Sequence, residues 1–534
     1  MPGRIVLATL NAKFIHASLG LRYLLANMEP HGSAQLRALT SLREFTIHRP
    51  LPEVVQGLLD ALDAPLEAAD PQQAGAGTQV VGLGVYIWNL AQTTELVRLL
   101  KAQRPGVKVV LGGPEVSFET ASLPIVALAD HVITGWGDVS FPRLCQALLF
   151  GPRPLQKIIP GEQPPLEEFA LPYALYSDAD IAQRLLYVEA SRGCPYQCAF
   201  CLSSLDKTAW SFDLDAFLDA LAGLLARGAR SFKFVDRTFN LKLANSRRIL
   251  QFFLDWRAQH PAEPLFLHFE LVPDHLPERL RELIVQFPAG VLQFEVGIQS
   301  WNPQVQAAID RRQDNALAES NLRWLRQHSQ AHLHTDLIFG LPGESWQSFA
   351  EGFDRLLALE PQEIQLGLLK RLRGTPLARR SGQAEGAAWG MVFGAEPPYA
   401  VQQTASVSAQ EVQAFARLAR YWDLVASSGR FPRTLRLLLG SPQQAPAAGA
   451  FAALAAFSDW LWQRLGRTHR ISPEELVDAL FAYLTQQRQQ AADAVRAALR
   501  ADYSDSGARA SPACLRDLPA GPRAATLEAP CNTP

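Results

Sequence analysis

Three cysteines lie within eight residues of one another, and they constrain this chain more than any other feature of its sequence. Cys194, Cys198 and Cys201 have the spacing C-x3-C-x2-C and follow an apolar run that predicts a strand. Four thiolates would complete a zinc site or a fully ligated iron–sulfur cluster, and a C-x-x-C pair alone also fits a redox loop. The sequence has no fourth cysteine nearby and no histidine within the loop. Three thiolates can hold three irons of a 4Fe-4S cube and leave the fourth iron open to a ligand.

The composition predicts a folded protein of several domains that works in the cytoplasm. The 534 residues suggest roughly three domains at about 150 residues each. The formal net charge of −2 gives no reason to expect binding to nucleic acid or to a membrane surface. No apolar run is long enough to cross a bilayer, and no cleavage site follows the short apolar run Ile5–Leu10.

The first 150 residues alternate between strand and helix patterns, which predicts a flavodoxin-like, doubly wound parallel sheet of five strands. The strand patterns are Arg4–Thr9, Glu44–His48, Val80–Ile87, Val107–Leu111 and His131–Thr134. Ligands bind such sheets at the carboxyl ends of the strands. The loops expected at that edge are Asn11–Ser18, Tyr86–Asn89, Gly112–Glu115 and Gly135–Asp138.

A second alternation predicts a partial (β/α)6 barrel, because the chain is too short there for eight units. Its strand patterns are Leu186–Ala190, Ser231–Val235, Leu265–Glu270, Val291–Gly297, His332–Ile338 and Glu363–Leu368. The predicted boundaries are 1–150 for the first domain, 151–184 for a linker, 185–385 for the barrel, 386–500 for a helical domain and 501–534 for a disordered tail. Residues 63–79 are predicted to form a loop.

The cysteine motif resembles that of the radical S-adenosylmethionine enzymes, in which the open iron binds S-adenosylmethionine and the reduced cluster cleaves it to a 5′-deoxyadenosyl radical. The resemblance extends to later strand ends, including GIQS and the glycine motif DLIFGLPGE. The family's GGE-like motif is absent, and Asp236, Arg237 and Asn240 stand in its place. The resemblance implies that the following residues contact S-adenosylmethionine: Phe200, Asp236, Glu270, Gln299, Ser300, Ile338 and Gly340.

The sheet ahead of the barrel resembles the cobalamin-binding domain of cobalamin-dependent radical S-adenosylmethionine enzymes. The match is strongest to a subfamily whose C-terminal domain has no assigned function. It implies that cobalamin contacts Asn11, Ser18, Tyr86, Trp88, Asn89, Gly112, Gly113, Pro114, Glu115, Gly135 and Gly137. The sequence lacks the D-x-H-x-x-G motif that supplies a histidine to cobalt, so we expect binding without that ligand.

The resemblance implies an enzyme that methylates an unactivated carbon of an unknown small molecule, with a reducing partner such as flavodoxin or ferredoxin. Two alternatives stay open. One is a radical enzyme that closes or rearranges rings without methyl transfer. The other is a corrinoid-binding regulatory protein whose cluster is structural. Methylthiolation of RNA is disfavoured because the sequence shows neither extra N-terminal cysteines nor a basic excess.

Overall fold

Two six-stranded parallel sheets form the centre of the protein in the computed structural model, which describes residues 3–64, 77–440, 449–508 and 512–516. The first sheet has the order β2-β1-β3-β4-β5-β6. Its strands are β1 Arg4–Asn11, β2 Thr40–Thr46, β3 Gln79–Gly84, β4 Lys108–Gly112, β5 His131–Thr134 and β6 Ile158–Pro160. The helices of this part are α1 Leu19–Ala26, α2 Ala34–Ala38, α3 Leu51–Asp63, α4 Leu90–Gln103, α5 Pro124–Leu128 and α6 Ser140–Phe150.

The strands of the first sheet are continuous apolar runs because helices cover both of its faces. Every residue of β1 is buried. Apolar side chains of α3, α4 and α5 pack on one face of the sheet, and those of α1, α2 and α6 pack on the other. The carboxyl edge of the sheet is therefore the part of it that stays free for ligands.

The second sheet is the barrel wall, with the order β14-β13-β12-β11-β10-β7. The strands of this region are β7 Leu186–Val188, β8 Ser191–Arg192, β9 Trp210–Ser211, β10 Ser231–Phe234, β11 Phe266–Leu271, β12 Leu292–Gln299, β13 His332–Phe339 and β14 Glu363–Leu368. Its helices are α7 Asp178–Gln183, α8 Leu214–Ala226, α9 Leu243–Gln259, α10 Glu278–Ile284, α11 Pro303–Ala308, α12 Asn315–His328, α13 Trp346–Leu357, α14 Pro376–Arg380 and α15 Ala384–Ala387. The six parallel strands agree with the predicted partial barrel.

The two faces of the barrel sheet differ in chemistry. Burial alternates residue by residue along β12 and β13, as expected for strands with one face in the core. The buried face is rich in phenylalanine, such as Phe234, Phe269 and Phe294. The opposite face carries charged groups instead, including Lys233 and Glu295, whose side chains form an ion pair at 3.1 Å.

The C-terminal part begins with a small antiparallel hairpin and continues as helices. The hairpin is β15 Val392–Phe393 with β16 Val401–Gln403. The helices are α16 Ala409–Trp422, α17 Pro432–Leu439, α18 Ala450–Leu465, α19 Pro473–Ala482 and α20 Ala492–Asp505. These helices pack on the β13 and β14 side of the barrel. Phe415 stacks on Phe339 at 4.2 Å, and the indole N–H of Trp422 donates to the carbonyl of Ile364 at 2.6 Å.

The structure differs from the expected organisation in three places. The segment predicted as a linker contributes β6, which pairs with β5 and makes the first sheet six-stranded rather than five-stranded. The sequence pattern over Pro473–Leu499 favours one helix, but the structure has two, because a π-helical turn over Tyr483–Gln487 separates α19 from α20. Helix α20 continues to Asp505, into the predicted tail. Most of that tail and of the predicted loop 63–79 lies outside the described residues.

Candidate active site

The three cysteines lie in a loop that the short strands β8 and β9 close at its base. This cysteine loop, residues 193–209, begins with Gly193 at φ +91°, where a Cβ would lie 2.7 Å from the backbone nitrogen of Ala209. The N–H of Cys194 donates to the carbonyl of Asp206 at 2.9 Å, and that of Cys201 donates to Cys198 at 3.1 Å. The backbone thus fixes the positions of the thiols before any metal binds.

The thiols of the cysteine loop are arranged around one cavity. Within the described ranges, no three His, Cys, Asp or Glu side chains converge closely enough to hold one ion. All three thiols instead line a cavity of about 180 Å³. Burial, with a smaller contribution from the neighbouring thiols Cys201 and Cys198, raises the pKa of Cys194 to about 11. A bound metal cation stabilises the thiolate form of its cysteine ligands.

Three of the residues expected to contact S-adenosylmethionine line the same cavity, namely Phe200, Glu270 and Gln299. Gln299 lies at φ +69° beside an irregularity in the β12–β13 register. Its side-chain Oε1 is buried without a hydrogen-bond partner among the described residues. A buried acceptor without a donor is costly, so this atom is suited to a ligand that brings an N–H or O–H group.

The other expected contacts are engaged within the protein. Asp236 accepts hydrogen bonds from the N–H of Ala190 at 3.0 Å and the hydroxyl of Ser191 at 2.6 Å, and burial raises its pKa to about 7. Its carboxyl therefore supports the base of the cysteine loop rather than facing the thiol cavity. The hydroxyl of Ser300 donates to Glu344.

Gly340 and Ile338 lie beside the cysteine loop without lining the thiol cavity. A Cβ on Gly340, at φ +86°, would lie 2.6 Å from Cγ1 of Val401. The close approach of β16 thus requires the glycine, whereas the resemblance implied that Gly340 contacts S-adenosylmethionine. Ile338 packs with Phe200 in a small apolar cluster.

Arg311 and Asp336 are two of the charged cavity residues that the sequence did not predict as ligand contacts. Arg311 follows α11, with Nη1 at 3.8 Å from Sγ of Cys198 and with Nη2 donating to the carbonyl of Gly297. Asp336, in β13, also lines the cavity. Arg311 lies in a loop rather than at a strand end, so the strand-end rule could not find it.

A network of paired charges continues from the cavity along the polar face of the barrel sheet. Burial alone would raise the pKa of Glu295, but hydrogen bonding to His268 and the charge of Lys233 lower it overall. Burial would likewise lower the pKa of His334, yet Asp336 and Glu363 raise it to about 10. This face of the barrel sheet is therefore polar. By contrast, the interior of a closed (β/α)8 barrel is filled by bulky apolar side chains.

A second cavity, of about 260 Å³, lies at the carboxyl edge of the first sheet. Five of the residues expected to contact cobalamin line it, namely Tyr86, Gly112, Gly113, Gly135 and Gly137. A Cβ on Gly135 would meet nothing within 4 Å, so this position leaves open space for a ligand. Gly113 is different, because a Cβ there would lie 2.5 Å from the carbonyl oxygen of Val85.

Exposed aromatic rings lie at the same edge. Trp88 is 44% exposed and stacks on Tyr86 at 4.4 Å, and Phe14 is 53% exposed. Large exposed rings at one edge mark a surface that a ligand covers. The glycine-lined cavity and these rings together fit a large planar cofactor with an extended tail.

The polar residues expected at this edge mainly organise the loops. The side chain of Asn11 donates to the carbonyl of His16 at 2.8 Å, and Ser18 is the N-cap of α1. Asn89 is fully buried and donates to the carbonyl of Leu10 at 3.0 Å. His16 bonds the hydroxyl of Tyr187 at 2.7 Å through Nδ1.

Glu115 holds the first sheet to the barrel, and neither it nor its neighbour Pro114 lines the cavity. Pro114 begins a short 3-10 turn. Glu115 accepts from the hydroxyl of Tyr399 at 2.7 Å and from Nε of Arg373 at 3.0 Å. Arg373 therefore pairs with Glu115 across the two sheets.

The carboxyl edges of the two sheets face each other. The loop after β4 contacts the segment after β14 through Glu115 and Arg373. The loop after β5 contacts the cysteine loop, because the indole N–H of Trp136 donates to Asp206 at 3.0 Å. The loop that carries Gly135 and Gly137 of the glycine-lined cavity is thus in direct contact with the cysteine loop.

Three family models match separate parts of the chain. The radical S-adenosylmethionine superfamily matches residues 188–356, and the B12 binding domain matches residues 5–145. A family described as a protein of unknown function matches residues 387–521. The first two matches coincide with the barrel and with the first sheet.

Curated relatives and a solved structure agree with these matches. The chain is 28% identical over 54% of its length to 2-(S-pantetheinyl)-carbapenam-3-carboxylate methyltransferase of Streptantibioticus cattleyicolor, covering 46% of that protein. It is 26% identical over 54% of its length to the cobalamin-dependent radical SAM methyltransferase TokK of Streptomyces tokunonensis, covering 47% of that protein. The chain thus spans about half the length of these relatives.

The solved structure of the cobalamin-dependent S-adenosylmethionine radical enzyme OxsB, with aqua-cobalamin and S-adenosylmethionine bound, has the same fold. It superposes with a TM-score of 0.60 at 12% identity and covers 94% of this chain and 79% of that chain.

Proposed function

Because the chain belongs to the cobalamin-dependent radical S-adenosylmethionine enzymes, we propose that it is a methyltransferase that methylates an unactivated carbon of a small molecule. The observation that carries the proposal is that the loop lining the glycine-lined cavity contacts, through Trp136 and Asp206, the loop whose three cysteines line the other cavity. The two curated relatives described above, both methyltransferases, support the same reaction class.

Cys194, Cys198 and Cys201 would hold the 4Fe-4S cluster, and the glycine-lined cavity would hold cobalamin. When bound, these cofactors and S-adenosylmethionine supply the electron transfer, the hydrogen abstraction and the methyl donation. The role of the chain is to bind and orient these groups and to keep water away from the reacting atoms.

The charges of the thiol cavity suit the polar groups of S-adenosylmethionine. The guanidinium groups of Arg237 and Arg311 offer N–H donors to a carboxylate. The orphan Oε1 of Gln299 and the carboxylate of Asp336 accept from amino or hydroxyl groups. We assign these four side chains, with Phe200 and Glu270, to the S-adenosylmethionine site.

Partners and location follow from the same proposal. The chemistry needs a one-electron donor, so we propose a reducing partner such as flavodoxin or ferredoxin in the cytoplasm. Among the described residues, no helix is both long and apolar enough to cross a membrane. The net charge of −2 gives no electrostatic reason for nucleic-acid binding.

The proposal is tested with the anaerobically reconstituted full chain. Reduced protein is supplied with cobalamin, a metabolite extract and S-adenosylmethionine carrying a labelled methyl group. We expect both S-adenosylhomocysteine and 5′-deoxyadenosine, with label in a small molecule. Omitting cobalamin should abolish S-adenosylhomocysteine, and the Cys201→Ala variant should form neither product. Deoxyadenosine alone would contradict methyl transfer and favour ring closure or rearrangement.

A further inference from the structure

Arg192 lies at the point where the cysteine loop meets the glycine-lined cavity. It precedes Cys194 by two residues, and its backbone pairs with Trp210 across the β8–β9 hairpin that closes the cysteine loop. The same side chain lines the glycine-lined cavity beside Gly135 and Asp138. One residue is therefore part of both sites.

The guanidinium of Arg192 is fixed by charge and by stacking. Nη1 contacts Oδ2 of Asp138 at 3.1 Å, and Nη2 contacts Oε1 of Glu189 at 2.6 Å. Aromatic rings surround it, with ring centres at 4.7 Å for Tyr23, 4.9 Å for Trp136, 5.4 Å for Phe169 and 5.7 Å for Phe212. A buried cation held by two carboxylates and several rings has little freedom to move.

A second contact joins the same two loops. The indole N–H of Trp136 donates to Oδ2 of Asp206, and the backbone carbonyl of Asp206 accepts from the N–H of Cys194. Trp136 and Asp138 both belong to the loop after β5, whose Gly135 and Gly137 line the cavity. The loop after β5, which lines the cavity, therefore also contacts Asp206, the residue that bonds the backbone of Cys194.

We propose that Arg192 is a positioning residue that couples cobalamin binding to assembly of the cluster. A cofactor tail that fills the cavity packs against Arg192 and the loop after β5, and so stabilises the contacts that order the cysteine loop. Linkage is reciprocal, so a cluster on the three thiols must tighten cobalamin binding by the same factor. The inference uses the two cofactors but does not depend on methyl transfer.

The test is a binding cycle on the full chain. Hydroxocobalamin is titrated by absorbance into protein without iron and into protein reconstituted with iron and sulfide. Coupling free energies between sites are commonly about 1–3 kcal/mol, so we expect the cluster to tighten binding at least about fivefold.

Two variants test the contacts separately. Arg192→Lys keeps a positive charge but loses the fork that bridges Asp138 and Glu189, and Trp136→Phe keeps a ring but loses the bond to Asp206. In both variants we expect the ratio of the two dissociation constants to fall towards one. Circular dichroism checks folding, and Trp136→Phe decides the outcome if Arg192→Lys does not fold.

The control is Arg371→Met. This substitution removes the ion pair of Arg371 with Glu119, another contact between the two sheets that is far in sequence from the cysteine loop. We expect the variant to keep the wild-type ratio of the two dissociation constants. A wild-type ratio of one would overturn the proposal. So would an unchanged ratio in folded Arg192→Lys or, if that variant does not fold, an unchanged ratio in Trp136→Phe. Because no substrate turns over in this experiment, failure of methyl transfer would leave its outcome unaffected.

Discussion

Replacing Arg373 with methionine is expected to loosen the contact between the first sheet and the barrel. Nε of Arg373 lies 3.0 Å from Oε1 of Glu115, and the two side chains are only 12% and 5% exposed. Removing one partner of a buried pair costs about 3–5 kcal/mol. Tyr399 keeps its hydrogen bond to Glu115, so we expect the lower end, about 3 kcal/mol.

Hydrogen exchange of the full-length, cofactor-free protein measures this loss locally. The amides of Glu115 and Val116 bond to the carbonyls of Val85 and Gly113, and their exchange reports opening of this loop. At about 1.4 kcal/mol per tenfold change, a loss of about 3 kcal/mol speeds their exchange roughly 100-fold. The assay does not require the several domains to unfold in one step.

The neighbouring pair of Arg371 with Glu119 provides a matched control. Its two side chains are 32% and 31% exposed, and such pairs contribute about 0–1 kcal/mol. Arg371→Met should therefore speed exchange no more than about fivefold. Equal effects of the two substitutions, or no effect of Arg373→Met, would refute the reasoning that burial makes the Glu115 pair the stronger one.

Two further predictions concern the thiols and the barrel network. Cys198→Ala should abolish stable iron binding after anaerobic reconstitution, whereas Cys145→Ala, at an isolated buried thiol, should keep it; equal iron contents would contradict the assignment. Glu363→Gln should lower the pKa of His334 from about 10, as measured by NMR titration, and an unchanged pKa would contradict it. The His334 contribution to stability is present below pH 6.5 and is lost as the pH rises through about 10.

The sequence predicted both sheets because their strands are apolar runs bounded by loops. Strands β5 and β14 have the predicted limits, and β1 begins at the predicted residue. The short strand Ile158–Pro160 was missed because three residues with two isoleucines and a proline give no periodic signal. The domain boundaries proposed from the sequence remain predictions.

The sequence also predicted that the three cysteines form one site, but it could not predict which charged residues of distant segments form ion pairs. Glu115 and Arg373 are 258 residues apart, and Asp138 lies 54 residues from Arg192. Glu115 and the loop that contains Asp138 were interpreted from their own strand ends, where a charged group faces either a ligand or another strand end. The packing of the two sheets against each other decides which of these partners the charged group has. No local sequence pattern encodes that packing.

Electron paramagnetic resonance of the reduced full chain tests the central claim most directly. The claim is that three cysteines hold a 4Fe-4S cluster whose open iron binds S-adenosylmethionine. S-adenosylmethionine with an oxygen-17-labelled carboxylate should change the cluster signal and add a hyperfine coupling from that label. A cluster signal that the labelled compound leaves unchanged, or protein with all three thiols intact that never acquires iron, would contradict the account.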